Sequence, residues 1–263
     1  MGRVVLLGHP VSHSLSPPMH NAAFAALGLP HRYETLDVAP DALSRTIDAL
    51  RRDETLGANV TIPHKEAAIR LMDETSDEVR AIGALNTIVR RGSRLAGHNT
   101  DAYGFERATA GIGEGDALLL GAGGAARACA LVLLRQGRRV LVANRSRRRA
   151  EDLARTLEVA GRRPQVVAWP TGRELATPIV VNATPLGMHG EDPLRGLALP
   201  RCVVDIVPTA VETPLVRRAR EAQHVLVVDG LSMLLHQAAR SFELWTGLPA
   251  PLEVMRAALP RPA

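Results

Sequence analysis

Short apolar runs alternate along the chain with segments whose apolar residues recur every three or four positions. Residues 4–7, 33–38 and 58–62 are such runs, and the spacing predicts helices over 17–27 and 41–52 between them. Pro17 suits a first helical turn, where no amide donor is needed. Helix-like sequence resumes over 64–72, and 86–89 with 95–98 reads as a hairpin turning at Arg91-Gly92-Ser93. Beyond Asp101 the runs at 118–120, 140–143, 166–167, 179–182, 203–207 and 225–228 predict further strands. Helices are expected over 125–134 and, with one long apolar face, over 231–245. Alternating strand and helix signals predict an α/β fold with parallel sheets. Two domains are expected: an open α/β domain of residues 1–102 and 236–263, and a second domain, 103–235, inserted into it.

Composition bounds the function. The chain has 263 residues, 46% of them apolar and 22% charged, as in ordinary globular proteins. Only seven residues are aromatic, three Phe, two Tyr and two Trp, so the core is expected to be built from Ala, Val and Leu. The net charge of +5 raises nucleic acid as a partner, but most arginines lie among acids, which reads as a solvated surface. No nucleic-acid partner is expected, although the dense run at 145–149 needs its own account. Cys129 and Cys202 have no metal-ligand spacing, the histidines form no ligand motif, and Pro10 separates His9 from His13, so no metal site is expected. No stretch has membrane-span length and no secretory signal is visible, which makes the cytoplasm the expected compartment.

The run at 118–120 leads into Gly121-Ala122-Gly123-Gly124-Ala125-Ala126, a G-x-G-x-x-A pattern between a strand and a helix. The first glycine makes the tight turn, the second lets backbone approach a pyrophosphate, and the small third position lets helix and strand pack closely. Amides at the helix start then face phosphate. The inserted domain therefore reads as Rossmann-type. After its second strand an NAD site would place an acid, yet the chain reads Asn144-Arg145-Ser146-Arg147-Arg148-Arg149, with no acid before Glu151. Guanidinium groups pair with a 2′-phosphate that a carboxylate would repel. Asn144, Arg145, Ser146 and Arg149 thus point to NADP(H).

Of the thirty-two basic side chains, thirty-one are arginine and one is Lys65. Arginine cannot release its proton near neutral pH, whereas a lysine ammonium can be tuned to do so. Lys65 follows Asn59-Val60-Thr61-Ile62-Pro63-His64, which leaves a strand and enters the expected 64–72 helix. At a helix start the dipole disfavours the cation. Ser14 and Ser16 lie in a loop ahead of the first helix and offer two hydroxyls to a carboxylate. Asn86-Thr87 and His98-Asn99-Thr100-Asp101 complete the polar set, with Asp101 positioned to face Lys65.

Taken together, S-x-S-P, N-V-T-I-P-H-K, G-A-L-N-T, N-T-D, G-A-G-G-A-A-R, N-R-S-x-x-R, N-A-T-P-L-G-M and a late Gln-Ala-Ala occur in one order. Nearly end to end, the chain resembles the NADP-dependent shikimate dehydrogenase family, which interconverts 3-dehydroshikimate and shikimate. The resemblance implies a substrate-binding domain (1–102 and 236–263) and an NADP domain (103–235). It implies that Ser14 and Ser16 hold the substrate carboxylate and that Thr61, Asn86 and Gln237 bind its hydroxyls. It implies that Lys65 and Asp101 form the catalytic pair. On the same resemblance Gly121, Ala122, Gly123, Gly124 and Ala125 are expected to cradle the pyrophosphate, and the 144–149 segment to take the 2′-phosphate. The 182–188 loop with Thr184, then Ile206, Gly230 and Met233, lie along the nicotinamide half. Two positions depart from the family pattern: Pro208 replaces the tyrosine of D-x-x-Y, and Ser232 replaces a glycine, which requires a negative φ there. Pro208 keeps a broader quinate/shikimate dehydrogenase as the alternative. A non-catalytic NADP-binding regulator would lack Lys65 or Asp101. The expected partner is a small-molecule substrate, and the expected assembly a homodimer.

Overall fold

The structure, a computed structural model, describes residues 2–52, 54–171, 175 and 177–260. The chain forms two compact units, one comprising residues up to Gly104 with Leu235–Pro260, the other Phe105–Leu234. It crosses from one to the other within a helix each time.

The first unit begins β1 (Arg3–Gly8), α1 (Ser16–Ala26), β2 (Arg32–Asp37), α2 (Leu43–Leu50) and β3 (Thr55–Val60). It continues with β4 (Glu74–Thr75), α3 (Asp77–Ile82), β5 (Thr87–Arg91), β6 (Arg94–His98) and the crossing helix α4 (Asp101–Ala108). Its sheet has the order β2-β1-β3-β5-β6-β4. β1 is parallel to β2 and β3, while β5 is antiparallel to β3 and to β6. That mixture decides where the chemistry collects. The ends of β1, β3 and β6 and the start of β5 share one edge, and the register sets Asn59, Thr87 and His98 side by side. α2 buries Leu43, Ile47 and Leu50, the i, i+4, i+7 stripe of an amphipathic helix.

The second unit runs β7 (Ala117–Leu120), α5 (Gly124–Arg135), β8 (Val140–Ala143), α6 (Arg147–Thr156), β9 (Gln165–Val166) and β10 (Ile179–Asn182). Then come β11 (Cys202–Asp205), α7 (Pro214–Glu221) and β12 (Leu226–Val228). All neighbours in the order β12-β11-β10-β7-β8-β9 are parallel. Every residue of β7, β8, β10 and β11 is buried, as strands covered on both faces require, which explains their unbroken apolar runs. The chain fills one side of β7 through β8 and β9, then restarts on the other side at β10. That reversal is a switch point, where open parallel sheets bind ligands. α8 (Gly230–Thr246) returns to the first unit, and α9 (Leu252–Ala257) follows.

The α/β architecture agrees with the sequence pattern. Three local features differ. Residues 64–72 form no α-helix: a turn is followed by a single 3₁₀ segment, Ala67–Leu71. The helix expected over 41–52 opens with a 3₁₀ turn, Pro40–Ala42, and its α-helical part is Leu43–Leu50. α3 and α4 were not foreseen, though α3 carries a Ser76 cap accepting from the Val79 amide, acids in its first turn and a left-handed Gly83 at its end. The core is also less uniformly aliphatic than composition suggested. Four of the seven aromatic residues pack in the first unit, Tyr33 and Trp245 against His20 and each other, and Phe24 against Phe242.

Candidate active site

At the shared edge of the first sheet, Lys65 Nζ lies 2.6 Å from Asp101 Oδ2. The side chains are 14% and 6% exposed, so the ammonium retains a limited opening to solvent and the carboxylate almost none. The other carboxylate oxygen accepts from Asn86 Nδ2 at 2.8 Å. Asp101 is the first residue of α4, a placement the helix dipole favours for an acid. The helix start therefore lies under the acid of the pair, not under the amine as expected, because 64–72 does not form the α-helix. Lys65 is fixed instead by its surroundings. Its carbonyl accepts from the Leu85 amide at 2.9 Å, and buried His64 donates from Nε2 to the Val38 carbonyl at 2.7 Å.

Asn86 is the hub of the remaining donors. Its Nδ2 also reaches Thr100 Oγ1 at 2.9 Å and Gln237 Oε1 at 3.3 Å, so the α8 glutamine joins the lysine–aspartate cluster. Thr61 follows β3, with its amide bonded to the Leu7 carbonyl. Ser14 and Ser16 follow β1 at the start of α1, where Ser14 Oγ accepts the Ser16 amide at 3.2 Å. Ser16 is the first helical residue and not its cap, since Leu15 occupies the cap position. Every substrate-site residue expected from the sequence lies in this one unit, in the segments that flank its strands, at the starts of α1 and α4, or on α8.

In the second unit the glycine turn connects β7 to α5 at the switch point. Gly121 has φ +113°, and a Cβ there would stand 2.6 Å from the Ala183 carbonyl oxygen. Gly121→Ala is expected to destabilise the protein by about 3 kcal/mol or more, since it combines a left-handed φ with a backbone clash. Thermal unfolding tests this, and an unchanged midpoint would refute it. A Cβ on Gly123 would meet no protein atom within 4 Å. That open side adjoins the start of α5, which has neither a side-chain cap nor an acid in its first turn. Amides in the first turn of a helix have no intrahelical partner and suit phosphate. Beyond β8, Asn144 Nδ2 donates to the Ser146 carbonyl, and the exposed Arg145 and Arg149 flank the start of α6, also without cap or first-turn acid. The residues present fit a phosphorylated dinucleotide.

Thr184, Ile206, Gly230 and Met233 follow β10, β11 and β12 at the same ends of the sheet. A Cβ on Gly230 would lie 2.4 Å from the Val207 carbonyl, which explains that glycine by close approach. Ser232 lies within α8 and is not among the positive-φ residues, so it meets the condition set by the sequence. Sequence reasoning missed the group that organises these loops. Buried Asp205 accepts from Asn182 Nδ2 at 2.9 Å, the Val207 amide at 3.2 Å and Thr213 Oγ1 at 2.6 Å. Asn182 in turn accepts from the Thr184 amide and hydroxyl. Burial pushes the Asp205 carboxyl up to about 6 despite these bonds. The signal was present as an acid ending an apolar strand.

Among the described residues, no helix is long and apolar enough to cross a membrane. A parallel sheet with an uncapped glycine turn at its switch point, in a chain that also holds a buried lysine–aspartate pair, defines a nucleotide-dependent dehydrogenase. Family models described as shikimate dehydrogenase substrate binding domain, shikimate/quinate 5-dehydrogenase and shikimate 5′-dehydrogenase C-terminal domain match residues 6–88, 106–166 and 230–259. The NADP(+) shikimate dehydrogenase of Symbiobacterium thermophilum is 47% identical, covering 98% of this chain and 93% of its own. That of Desulforamulus reducens is 40% identical over 95% and 92%. The crystal structure of the Thermus thermophilus shikimate 5-dehydrogenase in complex with NADP(H) and shikimate superposes with a TM-score of 0.83, at 39% identity, covering 98% of both chains. The chain belongs to the shikimate dehydrogenase family.

Proposed function

We propose that this protein is an NADP-dependent shikimate dehydrogenase, reversibly reducing 3-dehydroshikimate to shikimate in chorismate and aromatic amino-acid biosynthesis. The observation that carries this reading is Lys65 Nζ held 2.6 Å from Asp101 in a nearly buried setting. NADPH, when bound, supplies the hydride that adds to the C3 carbonyl. As that oxygen gains negative charge, Lys65 stabilises it and delivers the proton, so the carbonyl becomes the alcohol. In the reverse direction the lysine–aspartate pair accepts the hydroxyl proton. Asp101 holds the lysine and orients the substrate hydroxyl. Ser14 and Ser16 take the substrate carboxylate, and Thr61, Asn86 and Gln237 bind hydroxyls. Residues 1–102 and 236–263 serve as the substrate domain and 103–235 as the NADP domain, a division supported by the two compact units. Residues 1, 53, 172–174, 176 and 261–263 of that division lie outside those described. The reading extends to the cytoplasm, supported by the burial of Cys129 and Cys202, and to a homodimer, which sedimentation measures. Broader activity on quinate is not favoured, since both relatives above are NADP(+) shikimate dehydrogenases.

The test is absorbance of NADP⁺ reduction with shikimate, with quinate and NAD⁺ as comparisons. No reduction with shikimate ends the reading. The cofactor half has its own test. Gly121 to Ala125 receive the pyrophosphate, Asn144, Arg145, Ser146 and Arg149 the 2′-phosphate, and Thr184, Ile206, Gly230 and Met233 the nicotinamide half. Replacing Arg145 and Arg149 together by alanine is expected to raise KM for NADP⁺ by about 10- to 100-fold, the worth of one or two charge-assisted bonds. KM for NAD⁺ should stay within about 3-fold, because only the 2′-phosphate is read by charge. Equal effects on both cofactors would refute the assignment.

A further inference from the structure

Beneath the lysine–aspartate pair runs a chain of buried side-chain hydrogen bonds whose direction is set by backbone groups. Asn59 Nδ2 donates to the Asn86 carbonyl at 3.0 Å, a partner that only accepts. This fixes the Asn59 amide, so its Oδ1 must accept from Tyr33 OH at 2.8 Å. The Asn86 side chain is fixed in the same way. The Thr100 amide, which only donates, gives its proton to Asn86 Oδ1 at 2.8 Å, and Nδ2 is left to face Asp101. Between the two amides stands one hydroxyl. Thr87 Oγ1 accepts from Asn59 Nδ2 at 3.1 Å and donates to Asn86 Oδ1 at 3.0 Å, with Ser241 Oγ of α8 at 2.8 Å. Thr87 is fully buried, so it touches no substrate.

We propose that Thr87 is a positioning residue for the reaction, holding the Asn86 amide so that it orients the Asp101 carboxylate toward Lys65. The role rests on the dehydrogenase reading above. In a buried network each unmet polar group is costly, so a single hydroxyl with four polar neighbours has leverage over all of them. Loss of that hydroxyl takes one partner from Asn59 Nδ2, which keeps the Asn86 carbonyl and Ser241 Oγ, and one from Asn86 Oδ1, which keeps the Thr100 amide and hydroxyl, and so loosens the amide that Asp101 leans on. The positional error is small, yet catalytic geometry is sensitive to shifts of this size.

The test compares Thr87→Val, which keeps shape and loses the hydroxyl, with Thr87→Ser, which restores it. With shikimate and NADP⁺, T87V is expected to lower kcat by about 10- to 100-fold while KM for shikimate stays within about 3-fold. T87S should return kcat to within about 3-fold of the parent. T87V with parental kcat overturns the role. So does T87S as impaired as T87V, which would mark a packing effect, or a rise in KM at constant kcat, which would mark uniform substrate binding. If T87V does not fold, Ser241→Ala carries the test: kcat lowered about 3- to 10-fold at constant KM supports the role, and unchanged kcat overturns it. A parent protein that oxidises no shikimate overturns the dehydrogenase reading and this role with it. An active parent with an equally active T87V overturns the role alone.

Discussion

Lys65→Ala is expected to lower kcat for shikimate oxidation by about 10²- to 10⁴-fold, the usual share of general acid–base catalysis. KM for shikimate should change much less, because the carboxylate and hydroxyl contacts assigned to Ser14, Ser16, Thr61 and Gln237 are untouched. The physical basis is the 2.6 Å contact with Asp101 and the near absence of solvent on the acid. Water entering the space left by the lysine would be a poorly oriented substitute. Lys65→Arg should not rescue the rate, since a guanidinium keeps the charge but cannot give up a proton near neutral pH. That control separates proton transfer from electrostatic stabilisation: full rescue by arginine would leave only the second. The alanine variant should also lose stability, because it leaves Asp101 buried without its cation. Steady-state kinetics with a thermal unfolding control decide the matter, and a kcat within about 3-fold of the parent would end the role assigned to Lys65.

Much of this site was legible because its signals are local. A lone lysine among arginines, glycines between a strand and a helix, and a basic run lacking an early acid each carry their chemistry within a few residues. The apolar runs of β7, β8, β10 and β11 were equally plain, since burial on both faces leaves no polar position to blur them. What escaped depends on register. Asn59, Thr87 and Ser241 are far apart in sequence and meet only because β3, β5 and α8 are brought together, so Thr87 could be read as one of the polar set but not as the link between the two amides. The 64–72 segment misled for a different reason. Its composition favours a helix, but tertiary bonds from Leu85 to the Lys65 carbonyl and from His64 to Val38 hold the chain in a turn. Local propensity is a weak prior against such bonds. α4 was overlooked although Ala102 and Phe105 are buried apolar positions at helical spacing, because it is short and Gly104 is a poor helix former.

Acidification is expected to weaken the first unit well before ordinary carboxylates titrate, and His20 is the cause. Its ring is fully buried on α1, stacked on Tyr33 at 4.4 Å and tilted against Trp245 at 5.3 Å. Neither ring nitrogen has a hydrogen-bond partner among the described residues. Burial alone pulls its pKa from 6.5 down to about 3, so the folded protein holds a neutral imidazole that the unfolded chain would protonate. The unfolded state therefore binds more protons, and stability falls as pH drops below 6.5. The contribution is complete above 6.5 and lost progressively toward about 3, a loss of roughly 3 kcal/mol by pH 4. Asp205 in the second unit works in the opposite sense. Its carboxyl, raised to about 6, favours the folded state most below 3.8, and that contribution is lost as pH rises through about 6. The two units should thus part company between pH 6.5 and 4, the first losing hydrogen-exchange protection in α1 and β2 while β10 and β11 hold theirs. His20→Phe keeps a ring in the stack and removes the titration, so the variant should retain α1 protection at pH 4. Equal loss of α1 protection in parent and variant across that range would assign the acid response to other groups.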